Sequence, residues 1–118
     1  MSEKTRSRVE LLQGTLDLLI LRTLLSGRAH GHAIAKHIQR TSEELLQVET
    51  GSLYPALHRL EAQGWVAASW ETSDKGKRAK YYELTTRGRK QLMTEHSKWK
   101  AFSRAMGLIL NPGKEEAR

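Results

Sequence analysis

Five residues in one short stretch have side chains that could contact nucleic acid: Ser52, Tyr54, Pro55, His58 and Arg59. Hydroxyl, imidazole and guanidinium groups bind the phosphate oxygens and base edges that a DNA groove presents. The same residue types are also common on the solvated face of an ordinary core helix. The stretch by itself therefore leaves both interpretations open.

Three leucines predict that this stretch is a helix. Leu53, Leu57 and Leu60 are four and three residues apart, which places them on one face that can pack against a core. Gly64 follows at the position of a C′ residue, where glycine ends many helices. The polar residues named above would then lie on the opposite, outer face.

Pro55 limits where this helix can begin, because a proline deep inside a helix removes a hydrogen bond and clashes with a carbonyl group. We expect Ser52 to be the N-cap, with Thr50 as the alternative. With Ser52 as the cap, Pro55 would be the third helical residue. Free backbone N–H groups at the helix start would then be available to a phosphate.

The composition indicates one small domain with an anionic partner. The chain has 118 residues, of which 38% are apolar, and its 20 Lys and Arg against 13 Asp and Glu give a net charge of +7. This balance favours nucleic acid as the partner. The absence of cysteine excludes disulfide scaffolds and thiolate sites and fits the cytoplasm. His30, His32 and His37 lack the spacing and the further ligand of a zinc site, so no metal is expected.

Apolar residues at helical spacing between positions 11 and 25 predict the first helix. Asp17 and Arg22 interrupt its apolar run, which is also shorter than the roughly 20 residues that span a bilayer. We therefore predict a core helix and no contact with a membrane. A basic arm over 1–11 would precede it, and a polar tail over 111–118 would end the chain.

A second helix is predicted from about Gly31 to Thr41, followed by a linker over 42–49. This second helix, the linker and the Leu53–Leu60 helix would form a helix-turn-helix, in which the Leu53–Leu60 helix, the third of the chain, binds the groove. Because the second helix of such a motif crosses the DNA backbone, we expect His32 and Lys36 to lie near phosphate.

After the third helix, the apolar spacing changes from helical to alternating. Val66, Ala68 and Trp70 lie on one face of a strand predicted over 65–71, and that face is expected to be buried. A polar turn and a returning strand over 78–84 complete an antiparallel hairpin.

This hairpin and the residues just after it carry much of the excess positive charge. Three carboxylates (Glu71, Asp74 and Glu83) oppose seven cations: Lys75, Lys77, Arg78, Lys80, Arg87, Arg89 and Lys90. A basic hairpin beside a groove-bound helix is typical of the wing of a winged helix, and phosphate contacts are predicted for Lys75, Lys77, Arg78 and Lys80. The alternative is a solubilising loop, since turns are usually polar.

A long last helix is predicted, capped by Thr85 or Thr86 and ending near Leu110. Apolar residues follow along it in steps of seven, three, four and three: Leu92, Trp99, Phe102, Met106 and Ile109. This spacing is typical of a coiled-coil interface and predicts a homodimer, in which these five residues contact the second subunit. Packing over the first helix of the same chain is the alternative, and we expect both.

Two motifs together resemble the PadR family of transcriptional regulators. They are Leu-Tyr-Pro-Ala-Leu at 53–57 and Tyr-Tyr-Glu-Leu-Thr at 81–85, the latter followed by Gly88. The resemblance spans Leu12 to Leu92 and implies a homodimeric winged helix-turn-helix, usually a repressor, that binds inverted repeats and is often released by a small molecule. His32 stands where the family commonly has tyrosine.

Carried over to this sequence, the resemblance implies that the groove-facing set is Ser52, Tyr54, Pro55, His58 and Arg59, with Lys77, Arg78 and Lys80 on the wing. It also implies that a small aromatic or planar effector would stack on the tryptophan of the last helix, which here is Trp99, with Phe102 beside it.

The predicted fold is therefore mainly α with a small antiparallel β-hairpin: a winged helix-turn-helix over 12–85 and a C-terminal dimerisation helix over 86–110. The predicted function is sequence-specific binding of double-stranded DNA to regulate transcription. The alternative is a winged-helix module that contacts protein or RNA. Because no glycine-rich phosphate loop, paired carboxylates or Ser-His-Asp set is present, neither an enzyme nor a cofactor is expected.

Overall fold

The computed structural model describes residues 13–111 and Gly113. Within that part of the chain, four helices and a three-stranded sheet follow one another in this order: α1 (Gln13–Leu25), β1 (Ala29–His30), α2 (Gly31–Thr41), α3 (Thr50–Ala62), β2 (Val66–Thr72), β3 (Arg78–Leu84) and α4 (Thr86–Leu110). The predicted fold class is confirmed. The basic arm predicted over 1–11 lies outside the described residues.

The core forms around α1, which packs against α2, α3 and α4. Its leucines and isoleucines recur at helical spacing, so Leu16, Ile20 and Leu21 point inward and are almost fully buried. Leu57 of α3 and Tyr82 of β3 complete the same cluster. No helix in the described part of the chain has the length and apolar character needed to cross a membrane.

The helix α2 begins at a side-chain cap that the sequence analysis did not predict. The Nδ1 atom of His30 accepts a hydrogen bond from the backbone N–H of Ala33 at 3.1 Å. This bond satisfies one of the free donors of the first turn. The bounds of α2, Gly31–Thr41, are those that the sequence predicted.

The helix α3 begins earlier than predicted, and neither predicted cap is correct. Glu49 is the N-cap and makes no side-chain hydrogen bond, while Ser52 lies three residues inside the helix. The physical reason is that the N–H of Ser52 donates to the carbonyl of Glu49 at 3.0 Å, which closes a turn before Ser52. Pro55 is consequently the sixth helical residue, and the carbonyl of Gly51, on the exposed side, receives no hydrogen bond from it.

The end of α3 agrees with the prediction for Gly64. Gly64 adopts a φ of 78°, the left-handed conformation that glycine adopts with little strain. Its N–H donates to Glu61, and the N–H of Trp65 donates to Leu60, both at 3.0 Å. This pair of bonds is a Schellman motif, which turns the chain directly into β2.

The sheet has the order β1-β3-β2, with all neighbours antiparallel. The strand β1 was not predicted, because two residues are too short to show alternating spacing. On the face that continues the core, the register pairs Val66 with Leu84 and Trp70 with Lys80. Val66 is buried but Trp70 is 59% exposed, so the prediction that Trp70 is buried is wrong. The hairpin extends beyond the core, so the indole of Trp70 on its outer half is left mostly exposed in the described part of the chain.

A compact joint fixes α4 to the turn between α3 and β2; we call it the α4 joint and define it as Gly64, Trp65, Thr85 and Gly88. The hydroxyl of Thr85 lies 2.7 Å from the carbonyl oxygen of Gly64 and 3.0 Å from that of Trp65, and it accepts the N–H of Gly88 at 2.9 Å. A Cβ at Gly88 would collide with the carbonyl of Trp65. Thr85 is thus the predicted cap of α4 and also its anchor.

Candidate nucleic-acid interface

A cleft of about 480 Å³ lies between the start of α2, the outer side of α3 and the β2–β3 hairpin. We call it the hairpin cleft. Its lining is aromatic and basic and contains no carboxylate: His30, Gly31, His32, Tyr54, His58, Trp70, Arg78, Ala79, Lys80 and Tyr82. Such a lining suits an anion that also has apolar or planar surfaces.

The structure brings five of the eleven predicted DNA-binding residues together in this cleft: His32, Tyr54, His58, Arg78 and Lys80. The others lie outside it. Ser52 and Pro55 are exposed on the outer face of α3, Lys36 is exposed on α2, and Lys75 and Lys77 are exposed at the hairpin turn. Contact of all these residues with DNA stays a prediction.

Tyr54 connects α3 to the start of α2. A Cβ added at Gly31 would lie only 2.9 Å from the hydroxyl of Tyr54, so the tyrosine ring occupies the space that a larger residue would need. Glycine at this position lets the two helices approach closely. Tyr54 therefore has a packing role, although 39% of its surface is exposed.

Two cations of the hairpin are held by neighbours at the edge of the cleft. The Nζ atom of Lys80 lies 3.3 Å from Oε1 of Glu61, on α3, and 5.6 Å from the centre of the Tyr82 ring. The guanidinium of Arg78 lies 5.1 Å from the centre of the Trp70 ring. Lys80 is partly neutralised by Glu61, whereas no carboxylate within salt-bridge distance of Arg78 is found among the described residues.

The hairpin turn is ordered by Ser73. Its Oγ accepts the backbone N–H groups of Lys75 and Lys77 at 3.3 and 3.2 Å, and its own N–H donates to the carbonyl of Lys77 at 2.7 Å. Gly76 supplies the left-handed conformation, with a φ of 81°. The turn therefore presents the ammonium groups of Lys75 and Lys77 to solvent from a fixed backbone.

Arg59, predicted to face the groove, is bound to α1 in the structure, and its contact with DNA stays a prediction. Its Nη2 donates to Oδ1 of Asp17, on α1, at 2.9 Å, and its Nε is buried. The reason is helical geometry, because Arg59 lies on the flank of α3 that borders α1, away from His58. Burial raises the pKa of Asp17, and the Arg59 guanidinium opposes that rise.

We expect Arg59→Ala to lower the free energy of unfolding by about 1–3 kcal/mol, because a partly buried carboxylate would lose its charged hydrogen-bond donor. Urea denaturation measures this change. His58→Ala, one residue away and exposed, is the matched control and should change stability by less than about 0.5 kcal/mol. Normal stability of Arg59→Ala combined with lost sequence discrimination would contradict the structural role and return Arg59 to the DNA interface.

The raised pKa of Asp17 also predicts a pH dependence of stability. Asp17 stays protonated to higher pH in the folded state than in the unfolded chain. Proton binding by Asp17 therefore stabilises the fold, and this contribution is complete below the unfolded pKa of about 3.9. It is lost as the pH rises through the folded pKa. Asp17→Asn has no such titration, and its stability relative to the wild type should therefore increase as the pH rises through this window. A constant difference between the two unfolding curves would contradict the prediction.

The outer side of α4 carries an exposed apolar stripe. Phe102 is 63% and Ile109 74% exposed, and Trp99 and Met106 are also exposed. Leu92, predicted to contact a second subunit, is only 6% exposed and packs in the core. That part of the prediction is wrong, because the first turns of α4 lie over α1 and are covered within the protomer.

An apolar cavity of about 460 Å³ lies between α1 and α4, next to this stripe. We call it the α1–α4 cavity. Its lining consists of Thr15, Leu18, Leu19, Arg22, Leu46, Leu92, His96 and Trp99. One wall is formed by Trp99, the residue for which the sequence analysis suggested contact with an effector. In the described part of the chain, no group of three potential ligand side chains could hold a metal ion.

Five lining residues of the hairpin cleft were not among the predicted contacts: His30, Gly31, Trp70, Ala79 and Tyr82. Trp70 was assigned to a buried face, Gly31 was treated only as a helix boundary, and His30 only as part of a histidine cluster. The strand alternation could have placed Trp70 on the same face as Lys80, since both belong to one antiparallel register. No local signal reveals how far the core extends beneath that face.

Comparison with known proteins gives a consistent result. A family model described as the transcriptional regulator PadR-like family matches residues 20–94. An uncharacterized protein of Lysinibacillus sphaericus is 30% identical over 104 residues, which cover 87% of this chain and 94% of that relative.

Solved structures agree with this match. A PadR family transcriptional regulator from Eggerthella lenta DSM 2243 is 31% identical with a TM-score of 0.72, covering 86% of each chain. A PadR family transcription regulator from Clostridium difficile R20291 is 30% identical with a TM-score of 0.71, covering 81% of this chain and 98% of that one. A transcriptional regulator from Clostridium thermocellum is 28% identical with a TM-score of 0.74, covering 80% of this chain and 92% of that one.

Proposed function

The chain belongs to the PadR-like family of transcriptional regulators, and from that premise we propose that it is a homodimeric repressor that binds an inverted repeat and is released by a small molecule. Membership of the family makes the chain a DNA-binding regulator of transcription rather than an enzyme. We place its action in the cytoplasm, the compartment that the cysteine-free sequence favours.

The observation that carries DNA recognition is the hairpin cleft, which α3 and the hairpin line from opposite sides. The outer face of α3 carries Ser52, Pro55 and His58, all exposed. A helix with such a face fits the major groove, where donors and acceptors distinguish base pairs. With α3 in the groove, the hairpin would lie over the adjacent backbone, where Lys75 and Lys77 would bind phosphate.

The apolar stripe of α4 supports the homodimer. Trp99, Phe102, Met106 and Ile109 recur in steps of three and four, and all four are exposed within the described part of the chain. Pairing with the same stripe of a second copy would bury them around a two-fold axis. Two copies of α3 related by that axis would bind two half-sites about one helical turn apart, which is an inverted repeat.

The α1–α4 cavity supports release by an effector. Its leucines and the indole of Trp99 suit a planar aromatic molecule, and Arg22 and His96 at its edge could bind a polar substituent. Because the cavity adjoins the stripe, an occupant would touch the surface that joins the two subunits. Phe102, the second residue proposed for effector contact, does not line the cavity but lies one turn beyond Trp99 on the stripe.

The experiment that tests this proposal is a footprint on the promoter of the chain's own gene and on adjacent promoters, followed by a gel shift against random duplex. We expect protection of a palindrome and a clear preference for it. Equal affinity for operator candidates and random duplexes would reject sequence-specific regulation in favour of the alternative, a module for protein or RNA contacts. Transcription from the protected promoter, with and without the protein, distinguishes repression from activation.

Lys77→Gln should weaken binding to operator and random duplex by the same factor, because an exposed lysine on the hairpin turn would contact phosphate rather than bases. It should also reduce the slope of log Kd against log salt by about one. Fluorescence anisotropy at several salt concentrations measures both effects. A loss confined to the operator would contradict the proposed role of the hairpin.

A further inference from the structure

Trp70 is a large aromatic side chain on the outer half of the hairpin, 59% exposed and paired with a cation. The guanidinium of Arg78 lies 5.1 Å from the centre of its ring. Cation–π contacts of this kind fix the relative orientation of the two groups. The indole and the guanidinium therefore form one mixed surface, which we call the Trp70–Arg78 pair.

The strand register directs this pair into the hairpin cleft. Trp70 is opposite Lys80, and Thr72 is opposite Arg78, so Trp70 and Arg78 are diagonal neighbours on one face of the sheet. Both line the cleft together with Tyr54 and His58 of α3. Anything that enters between α3 and the hairpin therefore meets the pair on one side and α3 on the other.

The chemistry of the cleft identifies its occupant. Arg78 supplies positive charge, and Glu61 of α3 forms its salt bridge with Lys80 rather than with Arg78. The indole adds apolar surface directly beside that charge. The sugar–phosphate backbone of DNA has the matching alternation, with apolar deoxyribose carbons between anionic phosphates. In a duplex the bases are paired and stacked, whereas the sugars line the edge of the groove, where an indole on the hairpin can reach their apolar carbons.

We propose that the Trp70–Arg78 pair is a contact site for the DNA backbone: the indole packs against a deoxyribose while the guanidinium binds the neighbouring phosphate. This inference rests on the proposed DNA binding and adds to it a neutral, aromatic component. The hairpin then holds DNA through shape and apolar contact as well as through charge. Sequence discrimination is left to α3.

The test compares Trp70→Ala, Trp70→Phe, Arg78→Gln and the double variant Trp70→Ala/Arg78→Gln by fluorescence anisotropy on operator and random duplex. Trp70→Ala should weaken binding to both duplexes by about tenfold, because the apolar surface that the indole buries against DNA is lost. The ratio of the two affinities should not change. Trp70→Phe should lose less affinity than Trp70→Ala, because a phenyl ring keeps part of the apolar surface. Because the two side chains act together, the double variant should lose less than the product of the single losses. Met93→Ala removes another exposed apolar side chain, on α4, and is the matched control.

A second readout follows the indole directly. Duplex DNA should protect one tryptophan of the wild type from quenching by acrylamide, and this protection should disappear in Trp70→Phe. Wild-type affinity of Trp70→Ala for both duplexes, or protection that persists in Trp70→Phe, would overturn the inference while leaving the proposed function intact. A loss confined to the operator would overturn it too, because the contact would then be to a base. Failure of the wild type to bind any duplex would reject the proposed function itself.

Discussion

Removing the two polar side chains from the exposed face of α3, as Ser52→Ala together with His58→Ala, is expected to abolish most of the preference for operator over random duplex. Each side-chain contact to a base edge contributes about 1–3 kcal/mol of discrimination. Loss of two such contacts corresponds to about a hundredfold or more in the affinity ratio. Competition gel shifts with unlabelled operator and random duplex measure this ratio directly.

This variant is informative because both residues are exposed, so the fold should not respond. Tyr54→Ala would be less clear, since Tyr54 also packs against Gly31. Lys77→Gln is the matched control: it should weaken binding to both duplexes and leave the ratio of the two affinities unchanged. An unchanged ratio in the Ser52→Ala/His58→Ala variant would show that α3 does not recognise the operator sequence.

Phe102→Asp is expected to convert the proposed dimer into monomers and to weaken operator binding by about 10²–10⁴-fold. A carboxylate in the centre of the apolar stripe would have to be buried without a partner, which opposes association. A monomer binds only one half-site and loses the effective concentration that links the two. Analytical ultracentrifugation gives the oligomeric state, and anisotropy gives the affinity.

The control for this variant is Met93→Asp, which places the same charge on α4 at an exposed residue outside the stripe. It should remain dimeric and retain its affinity. Thermal denaturation of both variants separates loss of association from loss of folding, since Phe102 is not part of the core cluster. A Phe102→Asp protein that stays dimeric would place the subunit interface elsewhere.

Several features determined by neighbouring residues were predictable from the sequence. The bounds of α2, the end of α3 at Gly64 and the cap of α4 at Thr85 depend on local spacing and on single capping residues. Glycine in a left-handed conformation and threonine accepting an N–H act within one turn. A few consecutive residues are therefore enough to predict these helix ends and caps.

Apart from the start of α3, the differences from the prediction concern residues whose environment is set by distant segments. Arg59 was predicted to lie on the polar face of α3 because it is charged, but its guanidinium binds Asp17, which is 42 residues away in the sequence. Leu92 fits a dimer stripe by its spacing, yet α1 covers it, while Trp70 fits a buried strand face that the core does not reach. Each of these differences comes from the packing of elements against one another. The residue spacing within one element carries no information about that packing.

The α4 joint has a mechanical consequence for the proposed dimer. Thr85 and Gly88 bind the start of α4 closely to Gly64 and Trp65, just before β2, so we expect a tilt of α4 to move the hairpin with it. The 25 residues of α4 make a stiff lever about 37 Å long at 1.5 Å per residue. A tilt of about 5° at one end therefore displaces the other by about 3 Å, close to the roughly 3.4 Å rise of one base pair. In a dimer paired along α4, a change of a few degrees between the two levers is enough to shift the hairpins out of register with their half-sites.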